Sequence, residues 1–265
     1  MNIRPMKVAG SFYPAEPQVL KNMLDLFWEN LEDFTVKDIV SAVAPHAGYV
    51  FSGQVAAYTY EAIRQNLDDI PKTIFILSPD HYIGMTQVLV GNYDAVETPF
   101  GLLKVNKEIV EELLQEEIFT DEFLAYDQEH AQETQYPFLK YILRDKSEEF
   151  QIVPLIFGQV DIVEVAKKLE KYVWKAFFLV SSDLSHYKSY EEAVEIDKKT
   201  LDILINKKID ELGYAEACGI FPWGTLDILA VKYNWEWKLL KYMNSWDTFW
   251  DKSKVVGYAS VVYTQ

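Results

Sequence analysis

Short apolar runs alternate along this chain with longer segments of helical spacing. Ile39–Ala44, Thr73–Leu77, about 87–91, Ile152–Ile156 and Ala176–Val180 are rich in β-branched and aromatic residues, the pattern of buried strands. Between them, apolar positions recur at helical spacing. Residues 17–30 carry Leu20, Met23, Leu24 and Phe27 on one face, with Pro17 suited to a first turn. A second helix is expected from Gln54, with Val55, Ala56, Tyr58, Ala62 and Ile63. Others are expected at about 107–116, 162–172, 190–205 and 224–233, the 190–205 helix with Ala193, Ile196, Leu201 and Leu204 inward. The segment from Glu129 reads as a helix running to Leu143, where Pro137 demands a kink or a late start. Pro154 marks its strand as close to an edge. The chain closes on two strands, about 236–243 and 255–263, joined by a polar loop and expected to pair antiparallel at one edge. Strands alternating with helices predict an α/β fold: one three-layer domain over residues 1–265, with a mixed, mostly parallel central sheet flanked by helices.

Three of the apolar runs end in loops that carry chemistry. They are Ala44-Pro45-His46-Ala47-Gly48, Ser78-Pro79-Asp80-His81, and Ser181-Ser182-Asp183-Leu184-Ser185-His186-Tyr187. Gly48 and Gly53 are expected to supply backbone angles that other residues resist. Ligands in open α/β sheets sit just beyond the carboxyl ends of strands. The chain has only 4 histidines, and three of them follow strands in this way; the fourth, His130, lies in Glu129-His130-x-x-Glu133. The single cysteine, Cys218, lies in a loop with Gly219 and Pro222. Structural histidines would scatter over surfaces and turns, so this recurrence points to one shared site.

Composition narrows the setting. Hydrophobic residues make up 49% of the chain, enough for a sizeable core. A net charge of −16 repels phosphate backbones and anionic lipid, which excludes nucleic acid as an expected partner. Glu111, Glu112, Glu116 and Glu117 read as a solvated helix face. One cysteine rules out a disulfide within the chain. No apolar leader follows Met1, and no apolar run is long enough for a membrane span. The expected location is cytoplasmic.

Clustered imidazoles beside a thiol suit metal binding or acid/base work. Neither Cys-x-x-Cys nor His-Glu-x-x-His occurs, so any ligands are assembled by the fold. Two histidines and a thiolate would leave open coordination positions. Asp183 could orient His186 as a proton donor or acceptor, or simply cap the next turn. Glu129 and Glu133 could support the site from behind, or form the acidic start of a helix. There is no Gly-x-Ser-x-Gly elbow and no phosphate-binding glycine loop.

Six motifs in order, covering nearly the whole chain, resemble the Memo family, which is similar to class III extradiol ring-cleaving dioxygenases. They are Val8-Ala9-Gly10-Ser11-Phe12-Tyr13-Pro14; Ala44–Tyr49 with Ser52-Gly53; Glu129-His130 with Glu133, Gln135 and Pro137-Phe138-Leu139; Ser181–Tyr187; Cys218-Gly219; and Gly257-Tyr258-Ala259-Ser260. The resemblance implies an extradiol-dioxygenase-like α/β fold. It also implies a metal held by His46, His81 and Cys218: iron first, with copper or zinc as alternatives. Asp183 and His186 match polar residues of the same cleft, His186 resembling the dioxygenases' acid/base histidine. His130, with Glu129, belongs to the cleft without an assigned role. The dioxygenases use two histidines and a glutamate, so Cys218 changes the electronics of the site. The chain also departs from the family at Ser78-Pro79-Asp80-His81-Tyr82, where Gly-Pro-Ser/Asn-His-His is common; Asp80 and Tyr82 are expected to alter the pocket or the metal preference. The implied activity is metal-dependent redox or oxygen chemistry on a small molecule. One alternative is a non-catalytic signalling protein that binds a peptide, a metabolite or a protein partner in the same cleft. Another is a metal-dependent hydrolase.

Overall fold

The computed structural model of the protein describes residues 1–124 and 127–265. In chain order its elements are β1 (Ile3–Arg4), α1 (Pro17–Glu29), β2 (Ile39–Ala44), α2 (Tyr49–Gln65), β3 (Thr73–Pro79), β4 (Val88–Val90), β5 (Ala95–Thr98) and β6 (Gly101–Val105). They continue with α3 (Lys107–Leu113), β7 (Phe119–Thr120), α4 (His130–Glu133), α5 (Gln135–Leu143), β8 (Gln151–Phe157), α6 (Ile162–Leu169), β9 (Phe177–Ser181) and β10 (His186–Lys188). The last are α7 (Tyr190–Ile205), α8 (Ile220–Tyr233), β11 (Glu236–Asn244), α9 (Ser245–Phe249) and β12 (Val255–Thr264).

The strands form one mixed sheet in the order β1-β5-β6-β8-β3-β9-β2-β12-β10, with β11 also on β12 and β4 on β8. Its centre, from β6 to β2, is parallel, and β12 runs antiparallel to β2, β10 and β11. The central strands are buried on both faces, which explains their unbroken apolar runs. The helices divide into two layers. On β12, the Ser260 hydroxyl meets Thr59 of α2, whereas the Tyr263 hydroxyl meets Trp223 and Asp227 of α8. Residues three apart on a strand point to opposite faces, so α2 and α8 cover opposite sides. The α/β architecture with a mixed sheet is as the pattern predicts.

Some elements differ from expectation. Helix α2 begins at Tyr49, not Gln54, because Gly48 is its N-cap without a capping side chain, and the Tyr49 N–H instead donates to the Phe12 carbonyl at 2.8 Å. Neither Gly48 nor Gly53 has positive φ. Gly53 lies inside α2, where a Cβ would fall 2.4 Å from Cε2 of Phe27 on α1, so its role is close helix packing. The Glu129–Leu143 segment is two helices, with Pro137 early in the second, the late start its ring requires. Pro154 does not mark a sheet edge: β8 lies between β6 and β3. On one side of β8, β6 pairs only as far as Ile152 and β4 pairs from Leu155 onward. Pro154, with no N–H to satisfy, occupies that gap, and its carbonyl accepts from Gly91. The final pair β11–β12 is antiparallel as expected, but β12 lies between β2 and β11. On α7, Asp197 and Thr200 are fully buried while Ile196 and Leu201 are only partly so.

Candidate metal centre and cleft

Strands β3, β9 and β2 are parallel neighbours, so their carboxyl ends open on one rim. His81 follows β3, Asp183 follows β9 and His46 follows β2. The remaining histidine of that set, His186, is the first residue of β10, a short strand on β12, and not a loop residue. These side chains line a cleft of about 570 Å³ together with Ala47, Gly48 and His130.

One nitrogen each from His46 and His81 and the Cys218 sulfur lie within 4.8 Å of one another. His46 Nε2 is 3.2 Å from Cys218 Sγ. Bond lengths of about 2.0–2.3 Å from N and S donors to one ion allow donor separations up to roughly 4.6 Å, so these three residues could hold a single metal with at most a small side-chain adjustment. The loop carrying Cys218 is closed onto the end of β9. The Cys218 N–H donates to the Asp183 carbonyl, Asp183 N–H points at Sγ at 3.2 Å, and Gly219 N–H donates to Ser182 Oγ. A Cβ on Gly219 would lie 2.6 Å from that of Ser182, so only glycine permits this approach. Burial, and then the Asp183 carboxylate, push the Cys218 thiol up. A bound cation would reverse that, since metal ions deprotonate the thiols that coordinate them.

Glu129 is buried and holds His81 in place. Its Oε1 meets His81 Nδ1 at 2.9 Å, its Oε2 accepts the His81 main-chain N–H, and Oε1 also accepts from Ala131 as the N-cap of α4. Glu129 is therefore the N-cap of α4 and a partner of the His81 ring at once. Burial opposes charge on His81, but the Glu129 contact together with the charges of Asp183 and Asp80 outweighs it and raises the pKa above the ordinary value. His81, Glu129 and His130 also lie close enough to suggest a second ion. However, the 2.9 Å contact between His81 Nδ1 and Glu129 is a hydrogen-bond distance, shorter than two donors on one ion commonly adopt. Glu129 is fixed in turn by Arg4, which donates to its carbonyl, to both Asp127 oxygens and to Glu133. Glu133 also accepts from the N–H groups of Lys7 and Val8 and from the Tyr13 hydroxyl. This pins the N-terminal loop so that Phe12 lies against His130, with ring centroids 4.7 Å apart.

His46 is buried, and burial, reinforced by His81 and His186, holds its pKa well below the ordinary value. His130 stacks on His81 at 4.8 Å, and its Nδ1 is 2.9 Å from the Tyr82 hydroxyl. Burial and His46 lower its pKa to about 4. The Asp183 carboxylate accepts the His46 main-chain N–H at 2.8 Å. Among the described residues no hydrogen bond joins it to His186, so its influence there is through charge. Burial raises the Asp183 pKa to about 6, against the His46 N–H and the His186 charge, which lower it. Asp80 does not face the cleft: its two oxygens accept the N–H groups of Tyr82, Ile83, Gly84 and Met85 and shape the loop after β3.

Several contributors were not expected from sequence. Ser245, Phe249, Asp251 and Lys254, which wall the cleft, belong to the segment that reads as a polar loop, and Val256 to the strand that follows it. Phe249 packs edge-on against Phe51 at 5.3 Å. Arg4 and Asp127 lie just outside the Val8–Pro14 and Glu129-His130 motifs, and no pattern in the sequence pairs them; the fold buries them together.

The family model described as "Memo-like protein" matches residues 4–262. A MEMO1 family protein of Methanopyrus kandleri is 32% identical over 289 aligned positions, covering 98% of both chains. One from Sulfolobus acidocaldarius is 34% identical with the same coverage, and one from Aquifex aeolicus is 31% identical over 99% of this chain and 100% of its own.

Proposed function

The chain belongs to the Memo-like family, and on that premise we propose that it carries out metal-dependent redox chemistry on a small molecule bound in the cleft. The observation that supports this most is the convergence of His46, His81 and Cys218, from three distant parts of the sequence, within 4.8 Å at the carboxyl rim of the sheet. These three residues would hold the ion, with iron the first expectation and copper or zinc the alternatives. When bound there, the ion would supply a redox-active Lewis acid with coordination positions open toward the cleft.

The chain's own side chains supply the rest. The apolar walls at Phe12, Phe51 and Phe249 exclude water from one side of a bound molecule. His186, half-buried on the wall, is the group proposed to give or take a proton at a ring nitrogen. Asp183, tied to the His46 main chain, contributes a carboxylate on the same cleft wall. His130 is proposed to stand neutral beside His81, held by Tyr82.

Elemental analysis of protein purified without added metal tests this reading. About one equivalent of iron or copper is expected, lost in His46→Ala and Cys218→Ala, together with oxygen consumption that those variants abolish. Bound zinc with ester or peptide turnover would replace the redox reading by a hydrolytic one. Metal-free protein whose ligand binding survives Cys218→Ala would overturn both and favour a non-catalytic binding role.

A further inference from the structure

We infer that Ser181 and Gln135 are positioning residues that lock His46 into the tautomer with the proton on Nδ1, leaving Nε2 bare toward Cys218 and the cleft. The inference rests on the metal-binding reading only for its consequence; the tautomer itself follows from hydrogen-bond accounting in the buried network behind His46.

The Ala131 and Pro45 carbonyls can only accept. Ser181 Oγ lies 2.6 Å from the Ala131 carbonyl, so its single proton is committed there. Gln135 lies with one end of its amide 3.1 Å from the Pro45 carbonyl, so that end is the NH₂ group. The same NH₂ donates to Ser181 Oγ at 2.8 Å, and the amide oxygen accepts from Tyr60 at 2.6 Å. Ser181 Oγ therefore has no proton left for His46. His46 Nδ1, 2.9 Å from that oxygen, must be the donor. Ser181, Gln135 and His46 are all buried, at 0%, 1% and 2% exposure, so water cannot offer an alternative partner.

The two histidines are thus held in the same sense by different means. Glu129 sets His81 with a carboxylate, whereas a neutral hydroxyl, itself fixed by an amide and a carbonyl, sets His46. A neutral support leaves the imidazole without an added negative charge behind it, at a position already beside the Cys218 sulfur and the Asp183 carboxylate. Partners of this kind behind a coordinating histidine fix ring orientation, and their loss typically costs about 10- to 100-fold in metal affinity.

The test uses the full chain, metal-free, with ¹⁵N-labelled histidine. Long-range ¹H–¹⁵N spectra report the tautomer of each ring, and His46→Gln identifies the His46 signals by their disappearance. The wild-type ring is expected in the Nδ1–H form; the Nε2–H form would overturn the inference without any variant having to fold. Ser181→Ala is expected to shift His46 toward Nε2–H and to weaken Zn(II) or Co(II) binding about 10- to 100-fold, and Ser181→Thr, which keeps the hydroxyl, to restore both. An unchanged tautomer in folded Ser181→Ala would also overturn it. Wild-type protein that shows Nδ1–H but takes up no metal would leave the positioning intact and sink the metal reading instead.

Discussion

At the scale of single residues, the site is governed by which group stands behind each imidazole. Glu129 is the clearest case, because it contacts His81 at both the ring and the main chain. In metal-free protein, Glu129→Gln keeps the shape but removes the charge that raises His81. The His81 pKa, followed by NMR titration, is expected to fall, because burial is then opposed only by the charges of Asp183 and Asp80. A value unchanged from wild type would show that Glu129 does not set it. His130 makes the opposite contribution. Its pKa of about 4 lies below that of an unfolded histidine, about 6.5. It therefore stabilises the fold above that unfolded value, and loses the contribution as pH falls toward 4.

At the scale of elements, the rim depends on how helices and loops are docked on the sheet. Helix α2 begins three residues after His46, and its position is set by α1 through Phe27 over Gly53. Gly53→Ala would place a methyl group within 2.4 Å of the Phe27 ring. Helix propensity alone favours alanine, so a gain would be expected if α2 were isolated. Overpacking is expected to win, with a loss of about 1–3 kcal/mol read as a lower urea midpoint. A rise in the midpoint would show that Phe27 rotates away freely. Legibility at this scale was uneven. The strands β2, β3, β8 and β9 were readable because burial on both faces leaves no polar alternation. The short strands β1, β5, β6, β7 and β10 were not, since a few residues show no period. The start of α2 was missed because Gly48 carries no capping side chain, its work being done by the Phe12 carbonyl far away in sequence.

At the scale of the whole molecule, pH couples groups remote from the cleft to stability. Asp227 on α8 is fully buried, accepts from Tyr263, and burial raises its pKa to about 7. An unfolded aspartic acid titrates near 3.9. Between those values the folded chain keeps a proton that the unfolded chain has released, so this contribution is complete below the unfolded value and is lost as pH rises through about 7. Asp183, raised to about 6, has the same sign. Asp227→Asn removes the titration. Its melting temperature relative to wild type is expected to climb between pH 5 and pH 8, by on the order of a few °C. An offset that stays constant across that range would sink the argument. Among the described residues, no helix is long and apolar enough to cross a membrane.

The α/β class, the order of the central strands along the chain, and the placement of His46 and His81 just past strand ends are all legible in the chain's local pattern. These follow from local rules: apolar runs make buried strands, and chemistry gathers where parallel strands stop. Tertiary structure alone decided which distant groups meet. No periodicity connects Arg4 to Asp127 and Glu129, Ser181 to His46, or Phe249 to Phe51. Pro154 shows the same limit from the other side: its missing N–H is read as an edge from sequence, yet the fold places it in the gap where β6 ends and β4 begins. A lost donor is visible in one residue, but whether any neighbour needed it depends on the pairing of the whole sheet.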